Sequence, residues 1–249
     1  MAKIRNLPKT FSSIDNVGFN NLVVSGCSFT YNNSEEHLCS WPYYLRDLLN
    51  FNEVLDCSQS GAGSNHIFNS IVNEIELGAV DLENDLIIVM WSGLTRTDVI
   101  SIQEITKPWH HMSNYDFNST YSTLSIFNVN DGDTDLDKMG NSYKRQVPVD
   151  AQVYESVLKM LALRNYLENK NANFIFTSGW DLTKDLKLID SSLTEKVLFD
   201  PIMLLSDYTK EHGEFDNTGH PTPDSYLGWA REHLAPYVIS KFKELKNVG

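Results

Sequence analysis

The chain has 249 residues, 41% apolar and 21% charged, which is enough to complete one globular α/β domain and unlike a disordered tail. Its formal net charge of −13, with no basic run to offset it, excludes a nucleic-acid partner, because binding phosphates requires Lys and Arg to replace condensed counterions. No apolar run approaches the roughly 18 residues of a membrane span, and residues 1–19 lack the apolar centre of a secretory signal, so a cytoplasmic or virion-associated protein without a membrane partner is expected.

In chain order, Asn21-Leu-Val-Val-Ser25 is a short apolar run stopped by Gly26, the pattern of a buried strand ending in a tight turn. Trp41 to Leu49 repeats apolar side chains at helical spacing with Pro42 near the start, so a helix entered through Ser40 is predicted. Glu53 to Cys57 reads as a second strand and 58–65 as a turn-rich loop. Ile67 to Leu77 reads as a helix whose face carries Ile67, Ile71, Ile75 and Leu77. Leu86-Ile-Ile-Val-Met-Trp91 is continuous and β-branched, as expected at the centre of a sheet covered on both sides.

Residues 101–150 interrupt this alternation with scattered aromatics and an acidic segment at 128–137. They read as an insertion near the active site. Val153 to Leu167 resumes as a helix with Val157, Leu158, Leu161 and Tyr166 on one broad face, and Asn173 to Thr177 follows as a strand. After a mixed stretch comes the loop Phe215-Asp-Asn-Thr-Gly-His-Pro-Thr-Pro223, then a final helix over about 224–245, bent or broken at Pro236. The alternation predicts a three-layer α/β/α fold: a flavodoxin-like central parallel sheet with helices on both faces, in one domain spanning 1–249.

In a parallel sheet reactive groups collect on loops at the carboxyl ends of the strands, and three polar loops qualify. Gly26-Cys-Ser-Phe-Thr30 sets Ser28 directly after a strand, where a helical turn would leave its N–H groups pointing outward; the same pattern also describes a serine that only caps a helix. Ser60-Gly-Ala-Gly-Ser-Asn65 can present bare backbone N–H groups to a developing anion, or be a plain glycine turn. It lacks the third glycine of a dinucleotide fingerprint, so no nucleotide cofactor is expected. His220 follows Asp216 and Asn217, either of which could hold the tautomer that leaves Nε2 free to accept a proton.

Together these loops resemble the SGNH/GDSL hydrolase family, whose first block is a G-x-S turn after the first strand and whose last is a D-x-x-H loop before the terminal helix. Gly26 to Thr30 resembles the form carried by a bacterial and phage branch. So do Trp41-Pro42, the Gly61 to Asn65 loop, His220-Pro221 and Trp229-Ala230. The resemblance implies Ser28 as nucleophile, His220 as base, and an oxyanion hole formed by the N–H groups of Ser28 and Gly61, with Gly63 as the alternative.

The sequence departs from the family pattern at two places. The third block has Trp91-Ser-Gly-Leu-Thr-Arg96 where the family has an asparagine, leaving Ser92 or Thr95 as substitute donors and Arg96, with Asn65, as candidate substrate contacts. The acid Asp216 lies four residues before His220, and Asn217 occupies the family spacing.

The expected reaction is hydrolysis of a small acyl ester, most naturally an O-acetyl group on a carbohydrate, since residues 101–150 contain no evident apolar lid for lipid chains. Thioester cleavage and acyl transfer by the same residues remain open. A catalytically silent glycan-binding or structural domain of a phage particle is the alternative. No metal or cofactor is expected. The run Asp131 to Asp137 lacks the glycine position and closing Glu of a calcium loop, and His110-His111 alone do not make a metal site. Cys27, Cys39 and Cys57 form no C-x-x-C pair and read as free thiols.

Overall fold

In the computed structural model residues 17–31, 40–100, 121–125, 142, 146–196 and 199–246 are described. The strands are β1 (Leu22–Gly26), β2 (Val54–Asp56), β3 (Leu86–Trp91), β4 (Arg96–Ile100), β5 (Tyr121–Ser125) and β6 (Asn173–Ser178). Four of them form a parallel sheet in the order β2-β1-β3-β6, while β4 and β5 pair as a separate antiparallel ribbon. Every residue of β1 and β3 is buried, as it must be when both faces of a parallel sheet are covered.

The helices are α1 (Trp41–Leu49), α2 (Ser64–Glu76), α3 (Val149–Asn169), the single turns α4 (Thr183–Leu186) and α5 (Ser191–Thr194), α6 (Leu205–His212), α7 (Pro223–Trp229), a π-helical segment Ala230–Leu234, and α8 (Ala235–Lys246). On one side of the sheet α1 packs with α7, the π segment and α8, and the Trp41 and Trp229 rings meet edge-on at 5.9 Å. On the other side α2 packs with α3, and Ser25 Oγ lies 2.9 Å from Ser70 Oγ, joining β1 to α2. The chain is thus a three-layer α/β/α structure built on a central parallel sheet, as the β-α alternation predicts.

Several local expectations need correction. Leu77 is not on the buried face of α2; it lies just past the helix end and is 52% exposed. In α3 the buried stripe is Val153, Val157, Met160, Leu163 and Leu167, and Leu158 faces outward. A helix with apolar residues all round has several possible stripes, and its packing partner selects one. Pro236 does not break the last helix. Having no N–H to offer, it follows a widened turn in which the Ala235 N–H reaches back to the Ala230 carbonyl, so the helical path continues through a π segment.

Within residues 101–150, β5 pairs with β4, the strand just before them, with Arg96 opposite Ser125 and Ile100 opposite Tyr121. The acidic run 131–137, His110-His111 and Cys39 lie outside the described residues. Among the described residues Cys27 and Cys57 are free thiols, no three His, Cys, Asp or Glu side chains gather as a metal site, and no helix is long and apolar enough to cross a membrane.

Strand register sets the geometry of the site. Gly26 stands opposite Met90, and Met90 opposite Thr177, so the carboxyl ends of β1, β3 and β6 are flush along one edge. A Cβ on Gly26 would collide with Thr30 Oγ1 and come within 2.9 Å of the Met90 carbonyl oxygen, which is why the strand ends in glycine there.

Candidate active site

Past Gly26 the chain folds into one helical turn: the N–H groups of Thr30 and Tyr31 both donate to the Cys27 carbonyl, at 2.8 and 2.9 Å. Ser28 and Phe29 occupy the start of this turn, where N–H groups have no intrahelical partner. Among the described residues the Ser28 N–H and hydroxyl have no hydrogen-bond partner, and the residue is half-buried.

Phe29 connects this turn to two other loops. Its ring meets the His220 imidazole at 5.5 Å and 66°, and the Trp180 indole at 4.9 Å and 86°. Gly179 is small where it must be, since a Cβ there would lie 2.8 Å from the Phe29 ring. The turn after β1, the loop after β6 and the histidine loop therefore converge on one phenyl ring. Tyr226 of α7 senses two of these loops electrostatically: burial pushes its hydroxyl pKa up, and negative charge at Cys27 and Asp216 pushes it further the same way. Through the Phe29 ring the turn that holds Ser28 lies against the loop that holds His220, and among the described residues no hydrogen bond joins the two side chains.

The histidine loop is a compact hairpin. Phe215 and Pro221 bridge antiparallel, the Asp216 N–H donates to the His220 carbonyl at 2.7 Å, and Gly219 takes a φ of 81° that favours glycine. Asp216 is turned onto its own loop. Its Oδ1 accepts from the Thr218 N–H at 2.8 Å, the Thr218 hydroxyl at 2.6 Å and the His220 N–H at 3.0 Å. These contacts, the Thr218 hydroxyl first and then the His220 N–H, hold the carboxyl below its ordinary pKa. The imidazole Nδ1 is met by neither Asp216 nor Asn217 but by Thr218 Oγ1, at 2.7 Å. The expected direct Asp216–His220 contact is thus replaced by one through Thr218, a residue the sequence reading passed over. Its signal was the Asp-x-Thr-Gly string, which favours an aspartate folded back on its own backbone.

The two glycines of the 61–65 loop are now distinguishable. The Gly63 N–H is engaged, donating to Asp98 Oδ1 at 2.8 Å, while the His66 N–H donates to Asp98 Oδ2 at 2.7 Å. Asp98, buried on β4, thereby caps the N-terminus of α2 from the strand that precedes the insertion. Gly61, at φ 79°, has an N–H with no partner among the described residues, so of the two it is the one whose donor is unoccupied. Asn65 lies half-buried in the first turn of α2.

After β3, Ser92 and Thr95 are both buried. Among the described residues the Ser92 hydroxyl has no hydrogen-bond partner, which leaves it as a donor in reserve. Arg96 lays its guanidinium over the Trp180 ring at 5.3 Å, with its buried Nη1 unpartnered among the described residues, so it adjoins the aromatic group around Phe29. Trp180 itself continues from β6 through Ser178, whose hydroxyl donates to the Trp180 carbonyl at 2.8 Å.

No family model and no curated protein matches the sequence. Among solved structures, the chain is similar to a lipolytic protein of the G-D-S-L family from Desulfitobacterium hafniense DCB-2, with 12% identity and a TM-score of 0.49 over 90% of this chain and 99% of that one. It is also similar to the psychrotrophic esterase EstA from Pseudoalteromonas sp., in a structure inhibited by monoethylphosphonate, with 11% identity and a TM-score of 0.46 over 92% of this chain and 99% of that one.

Proposed function

We propose that this chain is a serine hydrolase of small acyl esters, acting on O-acetyl groups of a carbohydrate. The observation that carries the reading is the contact of Phe29 with His220 at 5.5 Å, which brings the turn bearing Ser28 against the loop bearing a histidine whose Nδ1 is already engaged. His220 Nε2 takes the Ser28 hydroxyl proton as Oγ attacks the ester carbonyl. The N–H groups of Ser28 and Gly61 receive the oxyanion, and the proton passes to the departing alcohol. Water then repeats the sequence on the acyl-enzyme. Ser92, an unpartnered buried hydroxyl, is the proposed substitute for the third donor, and Arg96 and Asn65 the proposed contacts to the sugar.

A second reading, a catalytically silent glycan-binding or structural domain, is favoured by one feature: the turn after β3 offers hydroxyls and no side-chain amide to an oxyanion. Fluorophosphonate labelling with p-nitrophenyl acetate turnover separates the two. The esterase reading expects labelling and turnover in the wild type, and neither in Ser28→Ala. It also expects a loss of about 10³-fold or more in His220→Ala. Labelling that persists in Ser28→Ala removes Ser28 as nucleophile, and an inert wild type favours the silent domain.

A further inference from the structure

We infer that Thr218 is the positioning residue of the catalytic histidine, a neutral hydroxyl relay that fixes the imidazole tautomer and leaves Asp216 acting one step removed. The inference rests on His220 being the base of the proposed hydrolysis.

Proton bookkeeping around one oxygen carries it. Thr218 Oγ1 lies 2.6 Å from Asp216 Oδ1 and 2.7 Å from His220 Nδ1. A hydroxyl has one proton to give. Asp216, held in its ionised form by the Thr218 hydroxyl and the His220 N–H, can only accept, so that proton points to Asp216. Towards the imidazole Thr218 Oγ1 then has only lone pairs to offer, and Nδ1 must carry the hydrogen. Nε2 is left as the lone-pair nitrogen on the other side of the ring, which is the form a general base requires. The Phe29 ring, edge-on to the imidazole at 5.5 Å, limits its rotation.

The relay inverts the usual ranking of the two partners. Where a carboxylate bonds the histidine directly, changing it to an amide lets an NH₂ face Nδ1, flips the tautomer and costs about 10⁴ in turnover. Here an amide at 216 still offers a carbonyl oxygen to the Thr218 hydroxyl, the Thr218 N–H and the His220 N–H. Its NH₂ falls where Asp216 Oδ2 has no bond from a described residue. The tautomer survives. The exposed carboxylate, screened by solvent, contributes little charge to the ring. Replacing Thr218 by valine, by contrast, removes the oxygen that Nδ1–H donates to.

The test pairs kinetics on p-nitrophenyl acetate with the ¹⁵N chemical shifts of the His220 imidazole, assigned by comparison with His220→Gln. We expect Asp216→Asn to stay within about tenfold of the wild-type kcat. Thr218→Val should lose about 10- to 100-fold in kcat with KM unchanged, and Thr218→Ser should restore it. The imidazole should be an Nδ1–H tautomer in the wild type, in Asp216→Asn and in Thr218→Ser, and lose that preference in Thr218→Val. A loss near 10⁴ in Asp216→Asn with Thr218→Val close to wild type overturns the relay, as does an Nδ1–H tautomer that persists in Thr218→Val. If the wild type hydrolyses no ester, the functional reading fails while the nitrogen shifts still decide the relay.

Discussion

Asp56 is the last residue of β2, and its Oδ1 accepts from the Ser58 N–H at 3.0 Å and from the Ser58 hydroxyl. Burial pushes its pKa up to about 6 from an ordinary 3.8, and the two Ser58 bonds only partly oppose that shift. The folded state therefore binds a proton more tightly than the unfolded chain. Its stability from this group is full below the unfolded value, falls as the pH rises through about 6, and is flat above. Asp56→Asn keeps an acceptor for both Ser58 groups and removes the buried charge. The variant should gain on the order of 2 kcal/mol at pH 7 and almost nothing at pH 4. Urea unfolding of both proteins at the two pH values checks this, and a gain independent of pH would assign it to another cause. Asp216 shows the opposite sign. Its pKa is lowered, chiefly by the Thr218 hydroxyl, so it remains an acceptor at mildly acidic pH and its contribution is lost only as the pH falls through that depressed value.

Among the elements, the first turn of α2 shows how β4, the strand just before the insertion, supports the Gly61 loop. Asp98 takes up the N–H groups of Gly63 and His66, two of the donors that a helix N-terminus leaves without intrahelical partners. Gly63 cannot carry a side chain there, since a Cβ would lie 2.8 Å from the Arg96 carbonyl oxygen and 3.0 Å from both Asp98 oxygens. With Gly63 and His66 pinned, the preceding turn through Gly61 has a fixed end from which to aim its free N–H. Asp98→Ala leaves two buried donors unsatisfied and should destabilise the fold by about 2–3 kcal/mol. It should also lower kcat on p-nitrophenyl acetate more than it changes KM, because Gly61, the proposed oxyanion donor, loses its support. Thermal unfolding and steady-state kinetics on the same preparation check both effects; unchanged stability would show that the cap is dispensable.

At the scale of the whole molecule, the strand order reverses between β1 and β3, and the loops that leave these two strands carry Ser28 and the Ser92–Arg96 turn. Such a switch point opens a crevice at the carboxyl ends of the strands, because the connections depart in opposite directions. The far edge of the sheet is closed differently. Asp200 pairs with Phe176 of β6 through both backbone and side chain: its N–H donates to the Phe176 carbonyl at 2.8 Å, and its Oδ2 accepts from the Phe176 N–H at 2.8 Å. Its Oδ1 receives Tyr237 Oη and Lys241 Nζ, each at 2.5 Å, tying α8 to the sheet. The side chain is 10% exposed. Asp200→Ala should cost about 2–4 kcal/mol in urea unfolding, since it strands the Phe176 N–H and leaves the Lys241 ammonium with the Phe174 carbonyl but no carboxylate. A change below about 0.5 kcal/mol would mean the edge is held by backbone pairing alone.

By itself the sequence determined the features that depend on neighbours along the chain. The run Leu86 to Trp91 announced a strand buried on both faces, and Gly26 and the Gly61 loop announced turns at strand ends. Strand-helix alternation announced the parallel sheet, because period and punctuation are local properties of the backbone. Tertiary structure alone decided which stripe of α3 is buried, and that Asp98 from β4 occupies the Gly63 N–H while the Gly61 N–H has no partner among the described residues. It also decided that Phe29 joins three loops at one ring, and that the Asp216 carboxylate meets Thr218 rather than the imidazole. Most of these are pairings between residues distant in sequence, and even inside the short His220 loop the choice between Asp216, Asn217 and Thr218 turned on where a folded backbone aims one hydrogen-bonding atom. Residue spacing carries no record of that direction.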